Sequence, residues 1–216
     1  MALPKGMGKM AETELYAPVK TWLEARGFEV AVFHATGMGG RAFESLAGEG
    51  AFAAVMDFAP QEVSNHLFGG LSAGADRLTN AGRAATPQLV APGCYDLVDF
   101  VGWQGVPEPF EGRPIHAHNR LLSSAVLESD ERRTVAREMC MKLAQAQAPV
   151  AVVLPTQGCN EWDRPGGDLH DAEGLAAFCG ELRRACPDNV ALHELDCHIN
   201  DADFCARVLE IFDSWT

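Results

Sequence analysis

Residues 149–158 read PVAVVLPTQG, and the fold class turns on them. From Pro149 to Leu154 no side chain is polar, and the run then breaks into proline, threonine, glutamine and glycine. A strand with one wet face alternates apolar and polar residues, whereas a strand covered on both faces has no need to. The run is short for a buried helix and carries β-branched Val150, Val152 and Val153, so it predicts an interior strand of a parallel sheet. Residues 52–58, FAAVMDF, have the same continuous character. Residues 28–34 (FEVAVFH), 87–91 (PQLVA) and 190–195 (VALHEL) complete a set of five strands, with the shorter 114–118 (PIHAH) as a sixth.

Helical patterns lie between these runs. Val135, Met139 and Leu143 repeat at four-residue spacing after Ser129, and Leu175, Phe178, Leu182 and Cys186 follow Asp171 in the same way. Phe204, Val208, Ile211 and Phe212 follow Asp201. Serine or aspartate at such an entry accepts a first-turn amide. Strands alternating with helices predict right-handed crossovers. The expected architecture is a Rossmann-like α/β three-layer sandwich with a mostly parallel sheet of five to six strands. It forms one domain over residues 1–216, with residues 1–17 as an ill-defined N-terminal segment. The stripe Leu15, Val19, Trp22 and Leu23 has Pro18 in its middle, so a helix there begins near Pro18 or kinks at it. Residues 103–113 are the main irregular connection.

Composition narrows the function classes. Seventeen basic residues face thirty acidic ones, for a net charge of −13, which argues against a nucleic-acid or anionic-membrane binder. No apolar run approaches the ~20 residues of a membrane span, and MALPKGMGKMAETEL has no apolar core of signal-peptide length. The seven cysteines are odd in number and form no CxxC pair, a pattern of a reducing, cytoplasmic setting.

In an open parallel sheet, ligands bind beyond the carboxyl ends of the strands. After 28–34 come His34, Thr36, Gly37, Gly39, Gly40 and Arg41; the second run ends at Asp57; the third leads to Gly93, Cys94, Tyr95 and Asp96. The 114–118 run gives His116, His118 and Asn119, the 149–154 run Thr156, Gln157, Gly158 and Asn160, and the 190–195 run Asp196, His198, Asn200 and Asp201. Glycines at a strand-to-helix turn let backbone amides approach an anion, and Arg41 adds a forked donor. A phosphate at the Gly37–Arg41 turn is therefore one reading, and a tight turn without a ligand is the other. A second glycine cluster, LFGGLSAGADRL at 67–78, offers Gly69, Gly70, Ser72 and Gly74 as a further anion nest near Arg77, or a mobile connection. His116-x-His118 has metal-site spacing, but no cysteine joins the pair, and no metal is expected. Asp57, Asp96, His118 and His198 are the candidate acids and bases if the domain is a hydrolase or transferase. A pure domain-pairing module is the third alternative.

Taken in order, VFHATGMGGRAFE, the DRL of GADRL, PGCYDLVDF, AHN, VAVVLPTQG, PGGDLHD and HINDADF resemble the motifs of the tomato mosaic virus resistance protein-like family. That resemblance implies two Rossmann-like halves, ATP-type nucleotide binding and dimer formation, with this chain corresponding to the second half only. ATP is then the candidate cofactor. The missing N-terminal half or another subunit is the candidate partner, and a homo-oligomer is expected. The matching positions are His34, Thr36, Gly37, Gly39, Gly40, Arg41, Gly93, Asp96, His118 and Asn119. Two departures stand out: the family's strand and GxTTP-like turn before the first helix are replaced by MALPKGMGKMAETEL, and its LMRT-like segment by NRLLSSAVLESDE.

Overall fold

Val150, Val152 and Leu154 pack into one helical layer, and Ala151 and Val153 into the other. A strand buried on both faces requires that division. The structure, a computed structural model, describes residues 11–215. Along the chain these form α1 (Ala11–Ala25), α2 (Met38–Gly48), β1 (Val55–Asp57), α3 (Glu62–Phe68), α4 (Asn80–Arg83), β2 (Gln88–Val90) and β3 (Leu97–Val101). Two 3₁₀ turns follow, Gly102–Gln104 and Glu108–Phe110. Next come β4 (Ile115–His116), β5 (Leu122–Val126), α5 (Ser129–Leu143), β6 (Val150–Pro155), α6 (Ala172–Ala185), β7 (Val190–Leu195) and α7 (Ala202–Asp213).

The main sheet has the order β1-β2-β6-β7 and is parallel throughout. A smaller antiparallel sheet, β3-β5-β4, grows from the chain leaving the carboxyl end of β2. One layer over the main sheet holds Val63 of α3 with α5 and α6 through Val135, Met139, Phe178 and Leu182. The other holds α1 and α7 through Val19, Leu23, Phe204 and Val208. These two helices run in the same direction: Trp22 and Phe28 meet Phe212 edge-on at 6.4 and 5.4 Å. No helix among the described residues is long and apolar enough to cross a membrane.

Three expectations need correction. The parallel sheet has four strands, not five to six. Residues 28–34 form no strand. Phe28 and Val30 join the α1/α7 layer and Phe33 packs on Phe43 and Phe52, yet residues 29–33 make no backbone–backbone hydrogen bond among the described residues. Strand composition with no paired strand among the described residues makes extended chain, not sheet. The 114–118 run contributes only β4, paired antiparallel with β5. The expected N-terminal segment, 1–17, lies for its first ten residues outside the described residues, and α1 starts at Ala11 and continues through Pro18 at the loss of one internal hydrogen bond.

A buried ion cluster ties β1 to α2 and α3. Arg77 is 3% exposed, and Glu44, Asp57 and Glu62 around it are 5%, 8% and 0% exposed. Its Nε donates to Glu62 Oε2 at 2.7 Å, Nη2 donates to Asp57 Oδ1 at 2.9 Å, and Nη1 reaches Asp57 Oδ2. Glu44 lies 3.4 Å from Nη1 and also accepts the Leu78 and Asn80 amides. Burial raises the Glu44 and Glu62 carboxyls above their ordinary range, with Arg77 opposing the shift. Because the folded state then favours the protonated acids, their penalty shrinks as pH falls toward the raised values. Replacing Arg77 by Met strands buried carboxylates and is expected to cost on the order of 3–5 kcal/mol. The loss, read from urea midpoints, should be larger at pH 8 than at pH 5.

Candidate functional site

The Gly37–Arg41 turn opens α2. Gly37 sits at φ 77° and donates its amide to Glu62, so the ion cluster grips the turn from inside. A Cβ on Gly39 would lie 1.9 Å from the His34 carbonyl oxygen, and one on Gly40 would lie 1.9 Å from Glu62 Oε2. Glycine is therefore demanded here by the fold itself. Met38 N–H bonds Thr36 O and Arg41 N–H bonds Gly37 O. That leaves the amides of Gly39 and Gly40 without an acceptor among the described residues. They belong to the positive end of α2. His34, Thr36, Met38 and Arg41 around them are exposed, Met38 to 85%.

The second glycine cluster comes to the same place. The Cβ position of Gly37 is 3.4 Å from the Ser72 carbonyl oxygen. Ser72 Oγ accepts the Gly74 amide at 2.9 Å, and Leu71 donates its amide to Asp99 O. Asn65 braces this loop: Nδ2 donates to Leu71 O at 3.0 Å, and Oδ1 accepts the Asp99 amide at 2.7 Å. Gly70 is needed because a Cβ there would lie 2.7 Å from Asp99 O.

Asp99 links these loops to the histidines. Its carboxylate accepts from Ser124 Oγ, and burial raises its pKa against the pull of Ser124 and His118. His116 stacks at a tilt on Trp162 with centroids 4.1 Å apart, while His118 meets the same ring edge-on at 5.6 Å. Burial and neighbouring His118 push the His116 pKa down. His118 is exposed. Asn119 instead accepts the Leu121 and Leu122 amides at 2.7 and 2.9 Å and shapes the turn into β5. Among the described residues no three His, Cys, Asp or Glu side chains gather as a metal site would require.

The other candidates are buried. Asp57 spends both oxygens on Arg77. Asp96, 2% exposed, takes both hydrogen bonds from Asn160 Nδ2, at 3.1 and 3.2 Å. His198 is 1% exposed, its Nδ1 accepts the Asn200 amide, and its Nε2 is 2.9 Å from both Asn160 O and Asp163 Oδ1. An amide donating to Nδ1 puts the ring proton on Nε2, aimed at Asp163. Asp163 Oδ2 in turn accepts the Cys159 amide. Gly158, at φ 132°, lies where a Cβ would be 2.5 Å from both Asp163 and His198. Gly93 lets the chain leaving β2 pass close to Phe58 O, its Cβ position being only 2.1 Å away. These groups brace the rim from within. Of the four proposed acids and bases, His118 alone reaches solvent. Sequence reading passed over Asp99, Glu62 and Asn65; an acid inside the apolar Val98-Asp99-Phe100 was the one available signal.

Helices on both faces of a parallel sheet, with glycine loops meeting at its carboxyl rim, define an α/β domain. The chain belongs to the uncharacterised protein family UPF0261: residues 8–216 match that family's C-terminal domain. A UPF0261 protein of Brucella melitensis is 51% identical over 198 residues, covering 91% of this chain and 47% of its own length. The ToMV resistance protein Tm-1 of Solanum lycopersicum is 34% identical over 197 residues, covering 90% of this chain and 26% of its own. A UPF0261 protein of Clostridium tetani is 35% identical over 187 residues, 86% of this chain and 46% of its own length. The chain thus spans half or less of these relatives.

Burial raises the Asp96 carboxyl from 3.8 to about 6, with the Arg132 charge opposing. A raised acid favours the folded state most when protonated, so its contribution is full below pH 3.8 and is lost as pH rises through about 6. Asp96→Asn is expected to flatten the stability profile across that window by about 3 kcal/mol, measured by urea denaturation at stepped pH.

Proposed function

We propose that this domain, Rossmann-like in topology, binds a small phosphate-bearing ligand of the nucleotide class, ATP being the leading candidate. Phosphate oxygens sit on the Gly39 and Gly40 amides with Arg41 beside them. One observation supports the reading above others: the amides of half-buried Gly39 and buried Gly40, without an acceptor among the described residues, start an eleven-residue helix beside the Ser72 loop and among exposed His34, Thr36, Met38 and Arg41. Charge-assisted bonds to a guanidinium contribute about 1.5–3 kcal/mol, which leaves room for a ligand of moderate affinity. Trp162, with His118 at its edge, offers an aromatic surface to the remainder of the ligand. Relatives of greater length are consistent with a second half beside this one, and in this reading that half or another subunit completes the site within a homo-oligomer. Seven cysteines without a CxxC pair fit work in the cytoplasm.

A second reading, acid–base catalysis, rests on His118, an exposed imidazole within electrostatic reach of the Asp99 carboxylate. Both readings are tested by calorimetric titration of inorganic phosphate, ADP and ATP into the chain, alone and with the N-terminal half of the Brucella relative. Saturable binding is expected, weakened about tenfold or more by Arg41→Ala, in line with the loss of a charged hydrogen bond. Absence of saturation in both settings overturns the phosphate reading. His118→Ala should leave phosphate affinity within about twofold, and loss of turnover in that variant with binding intact would favour the enzyme.

A further inference from the structure

The loop leaving β6 and the segment PGGDLHD at 165–171 lie outside the phosphate site proposed above, yet they meet beside α6. Between them is a cleft of about 260 Å³, walled by Thr156, Gln157 and His170 and floored by one face of α6. We infer that this cleft is a second small-molecule site, separate from the Gly37–Arg41 turn, and that it takes a primary ammonium carried on a short apolar stem.

The wall decides the charge of the occupant. Thr156 donates both its amide and its hydroxyl proton to Leu195 O, at 2.9 and 3.1 Å. Gln157 Nε2 donates to Asp196 Oδ1 at 2.6 Å, and a carboxylate there fixes which end of the amide is nitrogen. His170 Nδ1 lies 3.0 Å from Asp163 O. A carbonyl oxygen only accepts, so Nδ1 carries the proton and the neutral ring keeps its lone pair on Nε2. The wall is therefore left with acceptors: Thr156 Oγ1, Gln157 Oε1 and His170 Nε2. Asp163 is itself anchored, since its carboxylate accepts the Cys159 amide and pairs with buried His198.

The floor decides the rest. Ala172, Leu175, Ala176 and Cys179 follow one another at helical spacing along α6. Leu175 packs against the core and Cys179 belongs to it. Burial pushes the Cys179 thiol up to about 11, so at neutral pH it is a small apolar surface. An anion is poorly served here. The α6 entry is capped, with Gly174 N–H on Asp171 Oδ1 at 2.9 Å, and Arg183 at the far end is matched by Glu194. Asp196 beside Gln157 and Glu173 beside Ala172 are exposed acids, in a chain of net charge −13 that draws cations. An ammonium brings three donors and no acceptor, the complement of the wall, and an apolar stem covers the floor. The cleft is smaller than the roughly 300 Å³ at which drug-sized pockets begin, which suits a molecule of a few heavy atoms.

The test records amide proton–nitrogen correlation spectra of the full chain during titration with n-butylamine, n-butanol and butyrate at neutral pH. With about five non-hydrogen atoms, n-butylammonium is expected to saturate at roughly millimolar concentration. It should move the Thr156, Gln157 and Leu175 amides and the His170 ring nitrogens, and leave Gly39 and Gly40 unmoved. n-Butanol should bind about tenfold or more weakly, having lost the charge on its hydrogen bonds, and butyrate should not saturate. His170→Ala removes an acceptor, and Ala176→Phe fills the floor without touching one; each should weaken n-butylamine about tenfold or more, with spectra outside the cleft reporting that the variant is folded. Arg41→Ala should leave n-butylamine affinity within about twofold, so this outcome is independent of the phosphate titration. The inference is overturned by absence of saturation, by n-butanol or butyrate binding as tightly as the amine, or by both cleft variants binding it as tightly as the parent.

Discussion

Arg77 has to be neutralised where it lies, and that necessity organises the upper half of the domain. A guanidinium removed from water is tolerated only with carboxylates in good geometry. Here they come from three separate elements: Glu44 of α2, Asp57 of β1 and Glu62 of α3. Glu62 passes the constraint on by accepting the Gly37 amide, so the entry to α2 is set by an ion cluster and not by its own turn chemistry. The same carboxylate sits near the positive end of the helix, where negative charge is favourable.

This arrangement changes how the glycines read. Gly39 and Gly40 are small because His34 O and Glu62 leave no space for a side chain. A glycine-rich turn of this kind can thus arise from packing from behind as readily as from a ligand in front. What separates the two is unused hydrogen-bonding capacity, and among the described residues the Gly39 and Gly40 amides next to Arg41 have no acceptor. An anion at that turn would meet a helix end already partly compensated by Glu62, itself paired with Arg77.

How much of this was legible in the sequence differs from residue to residue. β6 was, because a strand buried on both faces declares itself by an unbroken apolar run. Residues 28–34 have the composition of a strand, but pairing depends on a neighbour, and no segment encodes its neighbour. β5 was hidden by Ser123 and Ser124, which interrupt its apolar side. The rim location of Asp96 and His198 was legible from the strand ends before them; their burial was not, since a polar residue after a strand looks alike whether it meets water or another side chain. Asp57, Glu62 and Arg77 are separated by five and fifteen residues with no periodic signal, so nothing announced that they are partners.

The side-by-side course of α1 and α7 gives the domain a polarity. Helices that cover a parallel sheet run opposite to its strands, so α7, which leaves β7 at the polar loops, descends to the far pole, and α1 descends with it. Residue 11 accordingly stands at the pole of Gly37, Asp99 and His118, and residue 213 at the other. A module fused ahead of α1 is delivered next to the loops that chemistry would use, whereas a tag attached after α7 hangs from the quiet end.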